Sequence, residues 1–206
     1  PQHMNNLEFY QKMYDYYIEN DLSVSPVDVV KNAIDSQMVI DNNIHKLKAV
    51  LASLLLVTVV KKLEETPPLV HEAFWNALRK YEKIYGISIE DSFITDFTNS
   101  GDLNSGDLYS YIEDISKWSE DEKLELLTNM IFISIVEDDS TLYKLYIISD
   151  CASEWGLNKD LVIHIAMKGT PDKKNIVQEY QKFVERVDDV GLEVAKQEYI
   201  RKRGEI

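Results

Sequence analysis

The sequence predicts an all-α fold, a multi-helix bundle of about ten helices that ends in a long C-terminal helix. Three observations predict this class. Apolar side chains recur at helical spacing along most of the chain, and no segment alternates apolar and polar residues as a half-buried strand does. The 7 Gly and 5 Pro are few for 206 residues, and most of them lie between the apolar segments, where they end or start helices.

Length and composition allow one domain, or one domain with an appendage, and a sizeable core. The chain is 45% hydrophobic and holds one cysteine. A single cysteine excludes a disulfide framework and a cysteine-rich zinc site, and it fits a reducing compartment. No basic segment followed by an apolar stretch opens the sequence, so we expect no secretory signal and a cytoplasmic location. Residues 1–3 precede Met4 and are interpreted as a cloning remnant.

Local start and stop signals divide the first half into helices. The predicted helices cover residues 6–20, 25–37, 41–65 and 69–85, with a short helix after Ser88. Ser25 caps a helix whose first position is Pro26, where the missing N–H costs nothing. Asp41 is expected to cap the next helix and Thr66-Pro67-Pro68 to stop it. Gly86 is expected to end the fourth helix in a left-handed cap.

The most apolar run, Ala49 to Val60, is 12 residues long, whereas a membrane span needs about 20. Lys46 and Lys48 precede the run, and Lys61-Lys62 follow it. We therefore interpret the run as part of a core helix and expect no membrane span.

The second half shows the same kind of capped helices. The predicted helices cover residues 108–118, 119–136, 140–156, 158–169 and 170–203. Ser119 and Glu122 form a capping box, in which the serine accepts from the third amide and the glutamate reaches back. The last helix carries an apolar seam spaced by four and three residues, a heptad pattern of under three heptads. The seam consists of Ile176, Tyr180, Phe183, Val187, Val190 and Val194.

These elements predict a helical bundle domain over residues 4–169 and a long C-terminal helix over residues 170–206. A seam this short favours docking of the helix on its own bundle, because a sustained coiled coil shows more heptads. Association through this helix, as a homodimer, is the alternative.

Two helix pairs echo each other. In each pair an apolar helix leads through an acidic turn into a helix that ends in aromatic-Gly-aliphatic, at Tyr85-Gly86-Ile87 and at Trp155-Gly156-Leu157. The echo raises the hypothesis of two pseudo-repeated halves. The alternative is local, since any helix can end in this way through a Schellman-type contact.

The second of these pairs resembles the TerB-like helical domains associated with tellurite resistance. The family pattern is an apolar helix, a small residue followed by Asp-Gly, a helix with a Glu, and then Ala-x-x-Leu-Gly-Leu. Residues 152–157, Ala-Ser-Glu-Trp-Gly-Leu, match the end of this pattern, and the resemblance covers about residues 44–167. Glu137, Asp138 and Lys144 stand where the family has Asp, Gly and Glu, so the resemblance does not imply an acidic-pair metal site.

The loop from Asp96 to Asp107 has the register of a twelve-residue calcium loop, with oxygen-bearing side chains at positions 1, 3, 5, 9 and 12 and Gly101 at position 6. The residues that would hold Ca²⁺ or Mg²⁺ are Asp96, Ser100, Asn104 and Asp107. Against this, position 3 is Thr98 and position 12 is the short Asp107. The alternative is a helix-connecting loop rich in Asx and Ser turns. We therefore expect no cofactor, with one of these cations as the alternative.

Other candidate chemistry has simpler structural explanations. Asp160 and His164 share a helix face, but no third ligand lies near them in sequence and zinc takes three or four. We expect His164 to be a partly buried packing residue, and Cys151, on an apolar stripe, to be an inert thiol. The chain has no phosphate-binding glycine loop, dinucleotide fingerprint or nucleophile elbow. The sequence therefore predicts no enzyme.

The charge distribution is the basis of the functional prediction. Residues 90–139 hold 14 acidic side chains against Lys117 and Lys123, or −12 of the formal net charge of −14. Such a balance argues against direct binding of nucleic acid, which needs Lys and Arg at the phosphates. The segment is either a solvated surface or a negative face that steers and holds a basic protein partner. The side chains expected to contact the partner are Asp102, Asp107, Glu113, Asp114, Glu120, Asp121, Glu137, Asp138 and Asp139, with Tyr10, Tyr14 and Tyr17 of the first helix as a second surface.

We interpret the chain as a non-enzymatic protein–protein interaction module that uses this acidic segment. The TerB-like resemblance implies a bacterial, cytoplasmic role in stress- or defence-linked complexes, and it implies no reaction. The first alternative is an acidic inhibitor or immunity protein, or a DNA mimic, that neutralises a basic partner. The second alternative is a Ca- or Mg-dependent switch at the loop of residues 96–107.

Overall fold

The computed structural model describes residues 11–12, 15, 26–58, 66–92, 94, 106–136, 141–170 and 175–204. Within these ranges the regular structure is helical and no strand occurs, so the predicted all-α class is confirmed. Eight α-helices lie in the described ranges. In chain order they are α1 (Pro26–Thr58), α2 (Pro68–Tyr85), α3 (Gly106–Asp114), α4 (Glu120–Ile135), α5 (Thr141–Glu154), α6 (Asp160–Gly169), α7 (Ile176–Val190) and α8 (Leu192–Gly204). The total of about ten helices stays a prediction.

The chain divides into two compact units, residues 1–46 and 47–206. In the first unit, α1 exposes apolar side chains, with Met38 at 65% and Val39 at 59% of full exposure, while Ala33 is buried. The second unit contains the end of α1 from Leu47, the helices α2 to α8 and a cluster of buried apolar side chains that forms its core. The residues described below belong to this second unit unless α1 is named.

Helix α1 corrects the prediction of two helices divided before Asp41, because it continues without a break from Pro26 to Thr58. The residues between Gln37 and Asp41 include neither Gly nor Pro, so nothing in them stops a helix. The side-chain amide of Gln37 donates to the Asp41 carboxylate over 2.9 Å, a contact one helical turn apart. Asp41 therefore pairs with the preceding turn instead of capping a new helix.

Helix α2 begins one residue before its predicted start and ends at the predicted cap. Pro68 opens it, and Gly86 closes it in the left-handed conformation with φ of 67°. The amide of Ile87 donates to the carbonyl of Glu82 over 3.0 Å, which is the Schellman bond of such a cap. This end places the segment after Gly86 beside the last turn of α2.

The end of α5 has the same cap. Gly156 has φ of 79°, and the amide of Leu157 donates to the carbonyl of Ala152 over 2.8 Å. The similarity between the two helix pairs in the sequence thus corresponds to two helix ends with the same type of cap. The pseudo-repeat of whole halves stays a prediction.

The connection from α3 to α4 is a short 3-10 helix, Ile115–Lys117, followed by a capped helix start. The hydroxyl oxygen of Ser119 accepts from the backbone N–H of Glu122 at 3.3 Å, and the same hydroxyl donates to a Glu122 carboxylate oxygen at 3.0 Å. The predicted cap at Ser119 is confirmed. It fixes the first turn of α4, where the acidic residues are concentrated.

Helix α4 packs against α2, α5 and α6, and so lies at the centre of this unit. Its buried side chains include Leu126, Leu127, Met130, Ile131 and Ile133. Trp155, at the end of α5, is 1% exposed, and its indole N–H donates to the carbonyl of Ile112 over 2.9 Å. This hydrogen bond ties the end of α5 to α3, directly before the acidic part of α4.

The prediction of one long C-terminal helix is wrong, because α7 ends at Val190 and α8 begins at Leu192. Gly191 separates them with φ of 88° and ψ of 161°, a region of backbone conformation that is essentially restricted to glycine. Helix α8 folds back and packs on α7. The rings of Phe183 and Tyr199 meet edge to face, with centroids 6.2 Å apart.

Helix α7 also packs on α5 and α6. The hydroxyl groups of Tyr180 and Ser149 are 2.7 Å apart, and the Phe183 ring lies edge-on to Tyr146 with centroids 6.3 Å apart. Val187 is buried, but Val194, the last member of the predicted seam, is 49% exposed. The seam therefore describes α7 and ends at the turn.

Candidate partner-binding surface

The structure describes part of the predicted site. The side chains of Glu113, Asp114, Glu120 and Asp121 are described. Asp107 lies in α3, but its side chain is outside the described residues. The other predicted residues lie outside them altogether: Tyr10, Tyr14, Tyr17, Asp96, Ser100, Asp102, Asn104, Glu137, Asp138 and Asp139.

An exposed group of carboxylates extends from the end of α3 through the 3-10 helix to the second turn of α4. We call it the acidic face, and it consists of Glu113, Glu120, Asp121 and Glu125. None of the four makes an ion pair with a described residue. Glu120 and Asp121 lie in the first turn of α4, where the positive end of the helix dipole stabilises negative charge. Helix α4 thus holds these carboxylates in place and leaves them in solvent.

Lys117, a basic residue within this stretch, does little to neutralise the face. Lys117 Nζ lies 3.7 Å from Asp114 Oδ1, and the lysine side chain is 80% exposed. An exposed pair at this distance is worth little, since solvent screens it and two long side chains must be held in one geometry. The acidic face therefore keeps a strongly negative local charge.

Two tyrosines of α2 lie where the carboxylates of α4 influence them. Burial raises the pKa of Tyr85 to about 12, and Glu122 and Glu125 add to this effect. The pKa of Tyr81 is raised as well, by burial first, although a hydrogen bond from Asn129 at 3.2 Å acts in the opposite direction. Both phenols are neutral at physiological pH. Tyr85 is half-buried and contributes aromatic surface near the carboxylates, whereas Tyr81 is buried in the core.

One acidic residue of the segment, Asp91, forms an ion pair with Arg79 of α2. Asp91 Oδ1 is 2.5 Å from Nη2 of Arg79, whose Nη1 pairs with the buried Glu82 and also donates to the carbonyl of Ile89 over 3.2 Å. The guanidinium group stacks over Trp75, 4.8 Å from the ring centroid. Asp91 is therefore part of a structural network that fastens the segment after Gly86 to α2. Sequence reasoning missed this role because Arg79 lies twelve residues before Asp91, on another element.

Cys151 and His164 lie outside the acidic face in the sequence. Burial raises the pKa of the Cys151 thiol to about 12, and Glu154 and Asp150 add to the effect. The predicted burial of Cys151 is confirmed, and its thiol is protonated at neutral pH. The expected partial burial of His164 is wrong, because the side chain is exposed.

No group of three or more His, Cys, Asp and Glu side chains in the described ranges is arranged to hold a metal ion. In the same ranges no helix combines the length and the apolar character needed to cross a membrane. The candidate cation loop at residues 96–107 is not covered by the first finding, because its proposed ligand side chains lie outside the described residues.

Comparison with known proteins does not assign the chain to a family. No family model matches it, and neither curated proteins nor solved structures give a significant match.

Proposed function

We propose that the protein is a non-enzymatic interaction module that binds a protein partner with a basic surface through the acidic face. One observation carries the proposal: four exposed carboxylates within residues 113–125 lack ion-pair partners among the described residues, although the chain as a whole holds 22 Lys and Arg. Clustered charge of one sign steers an oppositely charged partner and raises its rate of association.

Two narrower versions of this function remain proposals. An acidic inhibitor, immunity protein or DNA mimic would neutralise one basic partner, and its association rate would fall steeply as salt is raised. The TerB-like resemblance supports a bacterial, cytoplasmic role in a stress- or defence-linked complex. Neither version requires a reaction, and both use the same carboxylates.

The acidic face is tested by removing its charge while keeping the side-chain shape. The acidic-face variant carries Glu113→Gln, Asp121→Asn and Glu125→Gln, which spare the Ser119 cap. The control variant carries Glu72→Gln, Glu154→Gln and Glu185→Gln, three exposed acids outside the face. Both variants change the net charge equally, so a difference between them reports the location of binding and not the total charge.

The probe is a decalysine peptide, titrated at several salt concentrations and followed by amide chemical shifts. We expect the amides of residues 113–125 to shift first, and the acidic-face variant to bind about tenfold more weakly, since three pairs at roughly 0.5 kcal/mol each amount to this. The control variant should lose less than about threefold. Equal losses in the two variants, with shifts spread over the whole surface, would show a solvated acidic surface and refute a located binding face.

A further inference from the structure

The fold-back of α8 on α7 creates a groove of about 240 Å³. Leu142 of α5, Phe183 of α7 and Ala195 of α8 are buried apolar residues that line it. The ring of Tyr199 stands at 74° to that of Phe183 and provides an aromatic wall. The volume is below the roughly 300–1,000 Å³ of sites for drug-sized ligands, so the groove fits one ring or a short aliphatic chain.

The rim of the groove is cationic, in contrast to the strongly acidic chain. Arg186 and Glu198 bind each other through two hydrogen bonds of 2.8 Å, one from Nε and one from Nη2. The hydrogen bond from Arg186 lowers the pKa of Glu198 most, and the charge of Lys202 lowers it further, so Arg186 and Lys202 share this carboxylate. Glu179 is the other acid of the lining and Lys182 its third cation. Neither lysine forms an ion pair with a described residue, and both side chains are exposed. The lining residues therefore sum to one positive charge.

We propose that this groove binds a small amphipathic anion, an aromatic or short aliphatic carboxylate, whose apolar body lies on Phe183 and Tyr199 and whose carboxylate faces Lys182 and Lys202. Burying the apolar body supplies affinity, because it removes apolar surface of both ligand and groove from water. The two ammonium groups supply selectivity for an anion over a neutral molecule of the same shape. The site is separate from the acidic face, so it does not rest on the proposed function.

Phenylacetate is the probe, compared with 2-phenylethanol, which has a similar shape and no charge. We expect phenylacetate to bind in the millimolar range, as is usual for a fragment of about ten heavy atoms. Amide shifts should concentrate in α7 and α8 around residues 182–202. The alcohol should bind several-fold more weakly than the acid. Equal binding of the acid and the alcohol, or no shift up to about 50 mM phenylacetate, would overturn the proposal.

Variants locate the anion. The double change Lys182→Gln and Lys202→Gln should weaken phenylacetate binding about fivefold to tenfold and leave binding of the alcohol unchanged. The control, Lys80→Gln and Lys168→Gln, removes two exposed lysines elsewhere and should have no effect. Ala195→Leu, checked for folding by circular dichroism, should fill the groove and abolish binding of both compounds. Equal effects of the two lysine pairs would contradict the site, as would a concentration-dependent mass showing that a second copy of the chain covers the groove.

Discussion

At the residue scale, Trp155 joins two elements that are distant in sequence. Its indole N–H donates to Ile112 O, a carbonyl in the last turn of α3, where a helix leaves carbonyls without internal partners. Trp155→Phe leaves this carbonyl unpaired and opens a cavity, so we expect a loss of about 2–4 kcal/mol in the free energy of unfolding by urea. Trp75→Phe removes an indole hydrogen bond as well, to His71 Nε2 over 2.9 Å, but at a half-buried position where water can replace it, so it should cost about 1 kcal/mol. Equal losses of unfolding free energy in the two variants would show that the hydrogen bond to Ile112 does not add to the stability beyond an ordinary indole contact.

Cys151 gives the stability a dependence on alkaline pH. Burial raises its pKa from the ordinary 9.0 to about 12. Because the unfolded thiol ionises first, the stabilisation is complete below pH 9 and is lost as the pH rises towards 12. We therefore expect the stability advantage of the natural protein over Cys151→Ala to shrink across this window, measured by urea unfolding. An advantage that stays constant would contradict the raised pKa. Thiol reagents should label Cys151 slowly in the folded protein and rapidly in urea.

At the element scale, the cap at Ser119 controls the helix that presents the acidic face. Ser119→Ala removes the acceptor for the amide of Glu122, and we expect the unfolding free energy to fall by about 1 kcal/mol. Hydrogen exchange at the Glu122 amide should become faster. Ser116→Ala is the matched control, since Ser116 is an exposed serine three residues earlier that caps no helix, and it should stay within about 0.5 kcal/mol. A control that costs as much as Ser119→Ala would mean that the cap is not the cause.

Gly191 decides between two helices and one. Its φ of 88° with ψ of 161° is strained for any residue with a Cβ, so Gly191→Ala should destabilise the α7–α8 turn by about 1–3 kcal/mol. The strain favours the straight helix that the heptad spacing predicts. We therefore expect the contact between the rings of Phe183 and Tyr199 to weaken. Nuclear Overhauser effects between the two rings measure this contact. Gly156→Ala, which changes a cap elsewhere, should cost about 1 kcal/mol and keep the ring contact. An unchanged contact in Gly191→Ala would refute this role.

Elements with local signals were predictable from the sequence, and elements decided by distant contacts were not. The caps at Ser119 and Gly86 depend on residues within a few positions, so their sequence pattern determines them. The apolar spacing through Val187 continues in register past Gly191, and it is therefore the same for one helix or two. The fold-back brings together residues such as Arg186 and Glu198, and apolar periodicity does not predict such a contact.

The candidate sites show the same division at the scale of the whole molecule. The distribution of charged residues along the sequence located the acidic segment, and four of its exposed carboxylates lie on the described acidic face. The ion pair of Asp91 with Arg79 and the groove beside Lys182 and Lys202 were not predicted, because both depend on how the elements pack. A net charge is readable from sequence because it is a sum, whereas a groove between two helices depends on their tertiary arrangement.

The net charge of −14 should also affect the stability of the whole molecule. Raising KCl from about 0.01 M to 0.1 M shortens the screening length from roughly 30 Å to 10 Å and weakens repulsion among the carboxylates. We expect the Tm to rise by about 2–4 °C, which corresponds to about 1 kcal/mol for a chain of this size. A Tm that does not change or falls would show that repulsion does not limit the stability.

The same measurement separates screening from a cation site at the loop of residues 96–107. If the loop binds neither ion, CaCl₂ or MgCl₂ at matched ionic strength should raise the Tm little beyond the value in KCl. A larger rise that Asp96→Asn abolishes, with heat of one-to-one binding in calorimetry, would instead support the cation-dependent switch, since a ligand that binds only the folded state stabilises it in proportion to its occupancy.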